Sequence, residues 1–172
     1  MTAPERSSPT SGALDEHRSL LDAGARAASL LVDACRAAPD QGSLRLEVVG
    51  DLALDIRRQL EVLAGSLGKD ASSGDLPVDL LVDLLVEAAL RCADLANLAA
   101  CNTRELGPGA GATVVHLAAG VARALRVLVE AGSAGLRVEH AENSLRDVRG
   151  AGWRVDLAVR QIDGLSGGET QS

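Results

Sequence analysis

The sequence predicts an all-α protein, an antiparallel helical bundle of four to five helices, and three observations support this. Aromatic residues make up 1% of the chain and apolar residues 47%, so Leu, Val and Ala must build the core. Apolar residues recur three and four positions apart in long runs, which is the helical period. Short polar connectors separate these runs and favour antiparallel neighbours.

Residues 76–102 are predicted to form the central helix. Three of their acidic side chains, Asp79, Asp83 and Glu87, lie on the opposite side from one apolar stripe. Such a helix buries its stripe only against other helices, so it belongs in the middle of a bundle. The stripe consists of Leu81, Leu84, Leu85, Ala88, Cys92, Leu95, Leu98 and Ala99.

Four further helices are predicted around it. In chain order they span Leu14–Ala37, Ser43–Leu67, Thr113–Ala131 and Leu136–Leu165. Glycine- and serine-rich stretches separate the five helices, at residues 39–42, 68–75, 107–112 and 132–135.

A single domain is expected over residues 13–165, because the chain has 172 residues and no long linker. Residues 1–12 and 166–172 are rich in small and polar residues, so we expect two disordered tails.

The charge is −7 and unevenly distributed. Residues 1–100 contain 9 basic and 16 acidic side chains, whereas residues 101–172 contain 8 of each. The acidic first half repels phosphate backbones, so nucleic acid is not an expected partner. The second half is nevertheless arginine-rich, which fits either a solvated helical face or contact with an acidic partner or an acidic copy of the chain. These arginines are Arg123, Arg126, Arg137, Arg146, Arg149, Arg154 and Arg160.

The three cysteines, Cys35, Cys92 and Cys101, lie on or beside apolar stripes and lack metal-type spacing. Small buried thiols in a reducing compartment are the simplest interpretation. The N-terminus has no apolar signal sequence, and no stretch approaches about 18 continuous apolar residues. We therefore expect a cytoplasmic protein that does not contact a membrane.

The segment 107–113, GPGAGAT, is the most distinctive motif. Glycines ahead of a helix can present backbone N–H groups to an anion, assisted by the helix dipole. An equally simple interpretation is a flexible interhelical loop capped by Thr113. As candidate ligand-binding residues we take Gly107, Gly109, Gly111, Thr113 and His116.

Pro108–Thr113, followed by His116 and a helix rich in small residues, resembles the glycine motif of the cyclodeaminase/cyclohydrolase family, related to formiminotransferase-cyclodeaminase. Residues 77–102 are similar to a later helix of that family that leads into an Asn-containing loop, here Asn102. The resemblance implies an all-helical dimer that binds folate polyglutamates near the glycines. In this chain the glycine motif follows residue 100, whereas in the family it lies near the N-terminus.

The other residues with chemical potential form no catalytic set. No histidine has a ligand-type partner three or four positions away, so no metal site is predicted. Trp153 is the sole aromatic residue, and it suits either an interface anchor or the closure of one bundle end. We take Trp153, Val155 and Val159 as candidate interface residues.

Two functions from different classes follow. The first is a non-catalytic helical-bundle interaction or assembly module without a cofactor, forming a homodimer or binding another helical protein. The alternative is a folate-type cyclodeaminase/cyclohydrolase-like enzyme, or a binding protein for an anionic small molecule, with a folate derivative at the glycine segment.

Overall fold

The computed structural model describes residues 11–39, 43–73 and 76–167, and these form an all-α bundle. This confirms the predicted fold class. Five long helices and one short helix are present among the described residues, and a single 3-10 turn at Ser133–Gly135 joins the last two. The helices are α1 (Ser11–Ala37), α2 (Leu44–Ser73), α3 (Val78–Cys101), α4 (Thr103–Leu106), α5 (Pro108–Gly132) and α6 (Val138–Gly167).

The helix ends differ from the expected ones at several places. α2 continues through Gly68 to Ser73, where a connector was predicted, because one glycine costs a helix only about 1 kcal/mol. α1 begins at Ser11 and α6 ends at Gly167, each two residues into a predicted tail. The other predicted tail residues, 1–10 and 168–172, lie outside the described residues.

Helices α1, α2, α3 and α5 form an up-down-up-down bundle. α1 packs on α2 and α5, and α3 packs on α5 and, less extensively, on α2. At its centre lies Gly24 of α1, where an added β-carbon would meet Cys92 Sγ at 3.0 Å, Leu60 Cδ1 at 3.2 Å and Val121 Cγ1 at 3.7 Å. Glycine therefore allows four helices to converge at this level.

α6 packs against both α3 and α5, so α3 is buried on two sides. It runs parallel to α3: His140 Nε2 lies 2.8 Å from Asp83 Oδ1, and further along Arg154 Nη1 lies 2.9 Å from Asp94 Oδ1. This second layer explains why the buried residues of α3 extend beyond the predicted stripe. They are Leu81, Val82, Leu85, Val86, Ala88, Ala89, Cys92, Ala93, Leu95, Ala96, Ala99 and Ala100.

Candidate functional site

The glycine-rich segment forms the first turns of α5, not a loop. Gly107 precedes the helix with a φ of 87°, and the Gly111 N–H donates to the Gly107 carbonyl at 3.2 Å. Thr113 does not cap the helix, since its hydroxyl donates to the Gly109 carbonyl at 2.8 Å. The loop interpretation is therefore wrong. Pro108 suits a first helical turn, and the interspersed alanines have the highest helix propensity.

Gly111 serves helix packing. A β-carbon at this position would lie 2.7 Å from Thr103 Oγ1 and 3.1 Å from Thr103 Cα. The Thr103 hydroxyl is fixed there, because it donates to the carbonyls of Ala99 and Ala100 at 2.9 and 3.2 Å. The glycine is thus required where the end of α3 turns back against α5.

A polar cluster surrounds this turn at the α4 end of the bundle. Asn102 is buried, with 4% of its surface exposed, and donates to the Leu98 carbonyl at 2.7 Å. Arg45 of α2 donates from Nε to Asn102 Oδ1 at 2.8 Å, and its Nη1 lies 2.9 Å from Glu105 Oε1. The contact between Arg45 and Asn102 could not be predicted from local sequence patterns, because the two residues are 57 positions apart.

A cleft of about 350 Å³ opens beside this cluster. It contains two guanidinium groups and one amide, which are groups that bind carboxylates or phosphates. Glu105 neutralises one of the guanidinium groups. The polar lining includes Arg45, Thr103, Arg104, Glu105 and Gln161.

The five predicted ligand-binding residues do not surround this cleft. Gly109, Thr113 and His116 are exposed on the outer side of α5. Gly111 is buried against Thr103, and Gly107 is half-buried. The side chain of His116 is 53% exposed, and its Nε2 lies 3.9 Å from Asp163 Oδ1.

The three predicted interface residues have different environments. Trp153 is 68% exposed, Val159 is partly buried against the core, and Val155 is fully buried. Val155 therefore cannot contact a second subunit, and this prediction is wrong. The reason is helical geometry, since residues two positions apart point about 200° apart around the axis.

The outer face of α5 is apolar although it faces solvent. Leu117 is 46% exposed and Val127 is 63% exposed, although Leu117 has the helical spacing of a core residue. By length and composition, residues 109–135 meet the requirements for a membrane-spanning helix, a test that core helices of soluble proteins also pass. Only 44% of the apolar window in this segment is buried.

The thiols divide into two environments. Burial raises the pKa of Cys92 to about 12 and also raises the pKa of Cys35, so the prediction of buried thiols is confirmed for both. It is wrong for Cys101, which is exposed. Among the described residues, no group of three His, Cys, Asp or Glu side chains could hold a metal ion.

The chain was also compared with known proteins. A scan against protein-family models gives no match, and a search of curated proteins gives no significant match. The resemblance to the cyclodeaminase/cyclohydrolase family stays a prediction.

Proposed function

We propose that this protein is a non-catalytic assembly module that forms a homodimer through the outer face of α5. The observation that supports this proposal is an uncharged row along an apolar helix, in which five of the six residues are exposed and Ala124 is half-buried. The row has the four-three spacing of a coiled-coil seam, and its middle positions are small. Its members are Thr113, Leu117, Gly120, Ala124, Val127 and Ala131.

In an antiparallel pair of α5 helices, this row of one copy can pack against the same row of the other copy. About a two-fold axis near residue 122, Leu117 of one copy meets Val127 of the other, and Gly120 meets Ala124. Large residues therefore meet large ones, and small residues meet at the crossing point. A β-carbon on Gly120 has no neighbour within 4 Å in its own chain, so the backbone there is open to close approach.

The polar side chains beside the row favour the same arrangement. His116, Arg123 and Glu130 follow the α6 side of the row at intervals of seven residues. In an antiparallel pair, His116 of one copy approaches Glu130 of the other. Arg123 lies near the axis, and its repulsion is reduced because Nη2 donates to Asp156 Oδ1 of its own chain at 2.8 Å.

The test is the mass in solution of the wild type and two glycine variants. The wild type should have twice the chain mass of 17.6 kDa by light scattering. Gly120→Arg places a charge at the centre of the contact and should raise the dissociation constant about 30-fold or more, corresponding to about 2 kcal/mol.

Gly65→Arg is the matched control, because a β-carbon on Gly65 also has open space around it but lies on α2. This variant should remain dimeric. A monomeric wild type, or a Gly120→Arg variant as dimeric as the wild type, would contradict the proposal. So would a wild type that is recovered only with membranes.

The cleft at the α4 end favours a second candidate, the binding of an anionic small molecule such as a folate derivative. It brings Arg45 and Arg104 close to the turn where Gly111 meets Thr103. Two parts of the cyclodeaminase resemblance, the glycine motif and Asn102, therefore lie at the same end of the bundle. Under this candidate, folate at millimolar concentration should raise the melting temperature of the wild type more than that of Arg45→Ala. An equal shift in both proteins, or none, would exclude this binding site.

A further inference from the structure

We propose a second contact between copies, in which the outer face of α6 binds the outer face of α2 in the next molecule. This inference rests on the proposed role as an assembly module, but it uses surfaces other than α5. Because the two surfaces differ, the contact is heterologous and extends into a chain of molecules instead of closing as a dimer.

The outer face of α6, which we call the Trp153 face, combines exposed apolar and basic side chains. Trp153 is 68% exposed and Leu157, one turn later, is 50% exposed. Arg149 lies one turn before Trp153 and Arg160 two turns after it, and both are exposed. Within the described residues these two guanidinium groups have no ion-pair partner, in contrast to Arg154, which pairs with Asp94.

The outer face of α2, which we call the Val48 face, has the opposite charge. Leu44, Val48 and Leu52 are 75%, 50% and 49% exposed and follow one another by one turn. A parallel row of exposed carboxylates runs beside them, three residues after each apolar side chain. This row consists of Glu47, Asp51 and Asp55.

The two faces also match in size. Arg149 and Arg160 are about 16 Å apart along the axis, and Glu47 and Asp55 about 12 Å, at 1.5 Å per residue. Long arginine side chains can span this difference. In an antiparallel contact Trp153 then lies over Val48 and Leu52, with charge pairs at both ends. An exposed tryptophan enclosed by charged residues is typical of an interaction hot spot.

Among the described residues, α2 and α6 have no extensive contact with each other, so the two faces are available to meet between molecules. α2 packs on α1 and α3, whereas α6 packs on α3 and α5. Each molecule therefore offers one Trp153 face and one Val48 face to its neighbours. The overall charge of −7 does not oppose the contact at close range, because screening confines charge interactions to about 10 Å at moderate salt.

The experiment is sedimentation velocity at about 0.1 M salt in a Gly120→Arg background, which removes the proposed α5 contact. One partner variant is Arg149→Glu/Arg160→Glu, and the other is Val48→Glu/Leu52→Glu. The first variant places glutamates on the Trp153 face, and the second places them on the Val48 face. When the two variants are mixed, the altered Trp153 face of one therefore repels the altered Val48 face of the other. Arg26→Glu/Arg137→Glu, at exposed positions away from both faces, is the control with the same charge change as the first.

The background protein and the control should grow beyond a dimer as concentration rises, and added salt should reverse this growth. Each partner variant alone should stay monomeric, because one of its two faces is altered. Mixed together, they should form a one-to-one complex and nothing larger, since one intact contact remains. A background protein that is monomeric at all concentrations, or partner variants that assemble like the control, would overturn this contact without affecting the α5 dimer.

Discussion

Gly111 of α5 lies so close to Thr103 that a β-carbon on the glycine would be 2.7 Å from the Thr103 hydroxyl oxygen. Two residues earlier in this helix, Gly109 is exposed, and a β-carbon there would meet nothing within 4 Å. Two glycines of one motif therefore have different roles, and only Gly111 constrains the packing of the bundle.

Gly111→Ala should lower the free energy of unfolding by about 1–3 kcal/mol, because the new methyl group overpacks a site fixed by hydrogen bonds. Gly109→Ala should leave it unchanged or raise it by up to about 1 kcal/mol, because alanine favours the helix. Urea unfolding followed by circular dichroism measures both. Equal effects of the two substitutions would argue against the close contact with Thr103.

The pair between His140 and Asp83 fixes the start of α6 against α3. The 2.8 Å contact is only partly shielded, with side-chain exposures of 34% and 54%. A double-mutant cycle with His140→Ala and Asp83→Ala should give a coupling free energy of about 0.5–1 kcal/mol. The same cycle on Arg36 and Asp33, which are 3.9 Å apart and more than 70% exposed, should give a value near zero. A zero coupling at His140 would show that this contact does not stabilise the docking of α6.

Cys92 should make the protein less stable at high pH. Burial raises the pKa of its thiol to about 12, so the folded state keeps the proton at pH values where the unfolded state, with a pKa near 9.0, has lost it. Stability is therefore fully present below about pH 9 and falls above it by up to about 1.4 kcal/mol per pH unit. The unfolding free energy of Cys92→Ala should depend less on pH between 9 and about 10.5 than that of Cys101→Ala. Equal slopes would contradict the burial of the thiol.

His17 should make the protein less stable at low pH. Burial lowers the pKa of its imidazole, an effect that nearby Glu16 partly offsets, and Nδ1 is buried without a hydrogen bond among the described residues. Because the unfolded state binds the proton more tightly, stability is present above about pH 6.5 and falls as the pH drops through the lowered pKa. His17→Leu should lose less stability than the wild type between pH 7.5 and about 5. His116→Gln, at an exposed position, is the control and should lose as much stability over this pH range as the wild type. If His17→Leu also lost as much stability as the wild type, protonation of His17 would not be the cause of the loss.

Much of the helical architecture was predictable from local patterns. The apolar period placed five long helices, because a run such as 76–102 can bury its stripe only in helical form. The positions where helices begin and end were less predictable, since a glycine is compatible with both a loop and a helix. Gly68 and the glycines at 107–111 were expected in connectors, yet both lie in or beside helices whose neighbours stabilise them.

The sequence by itself determined the fold class, since a core of Leu, Val and Ala at helical spacing has few other solutions. Only the tertiary structure decided which faces remain uncovered. Leu117 and Leu52 have the spacing of core residues but are exposed, whereas Val155 is buried two positions from exposed Trp153. The physical reason is that periodicity fixes which residues share a face, whereas the packing of the helices against one another fixes which faces water reaches.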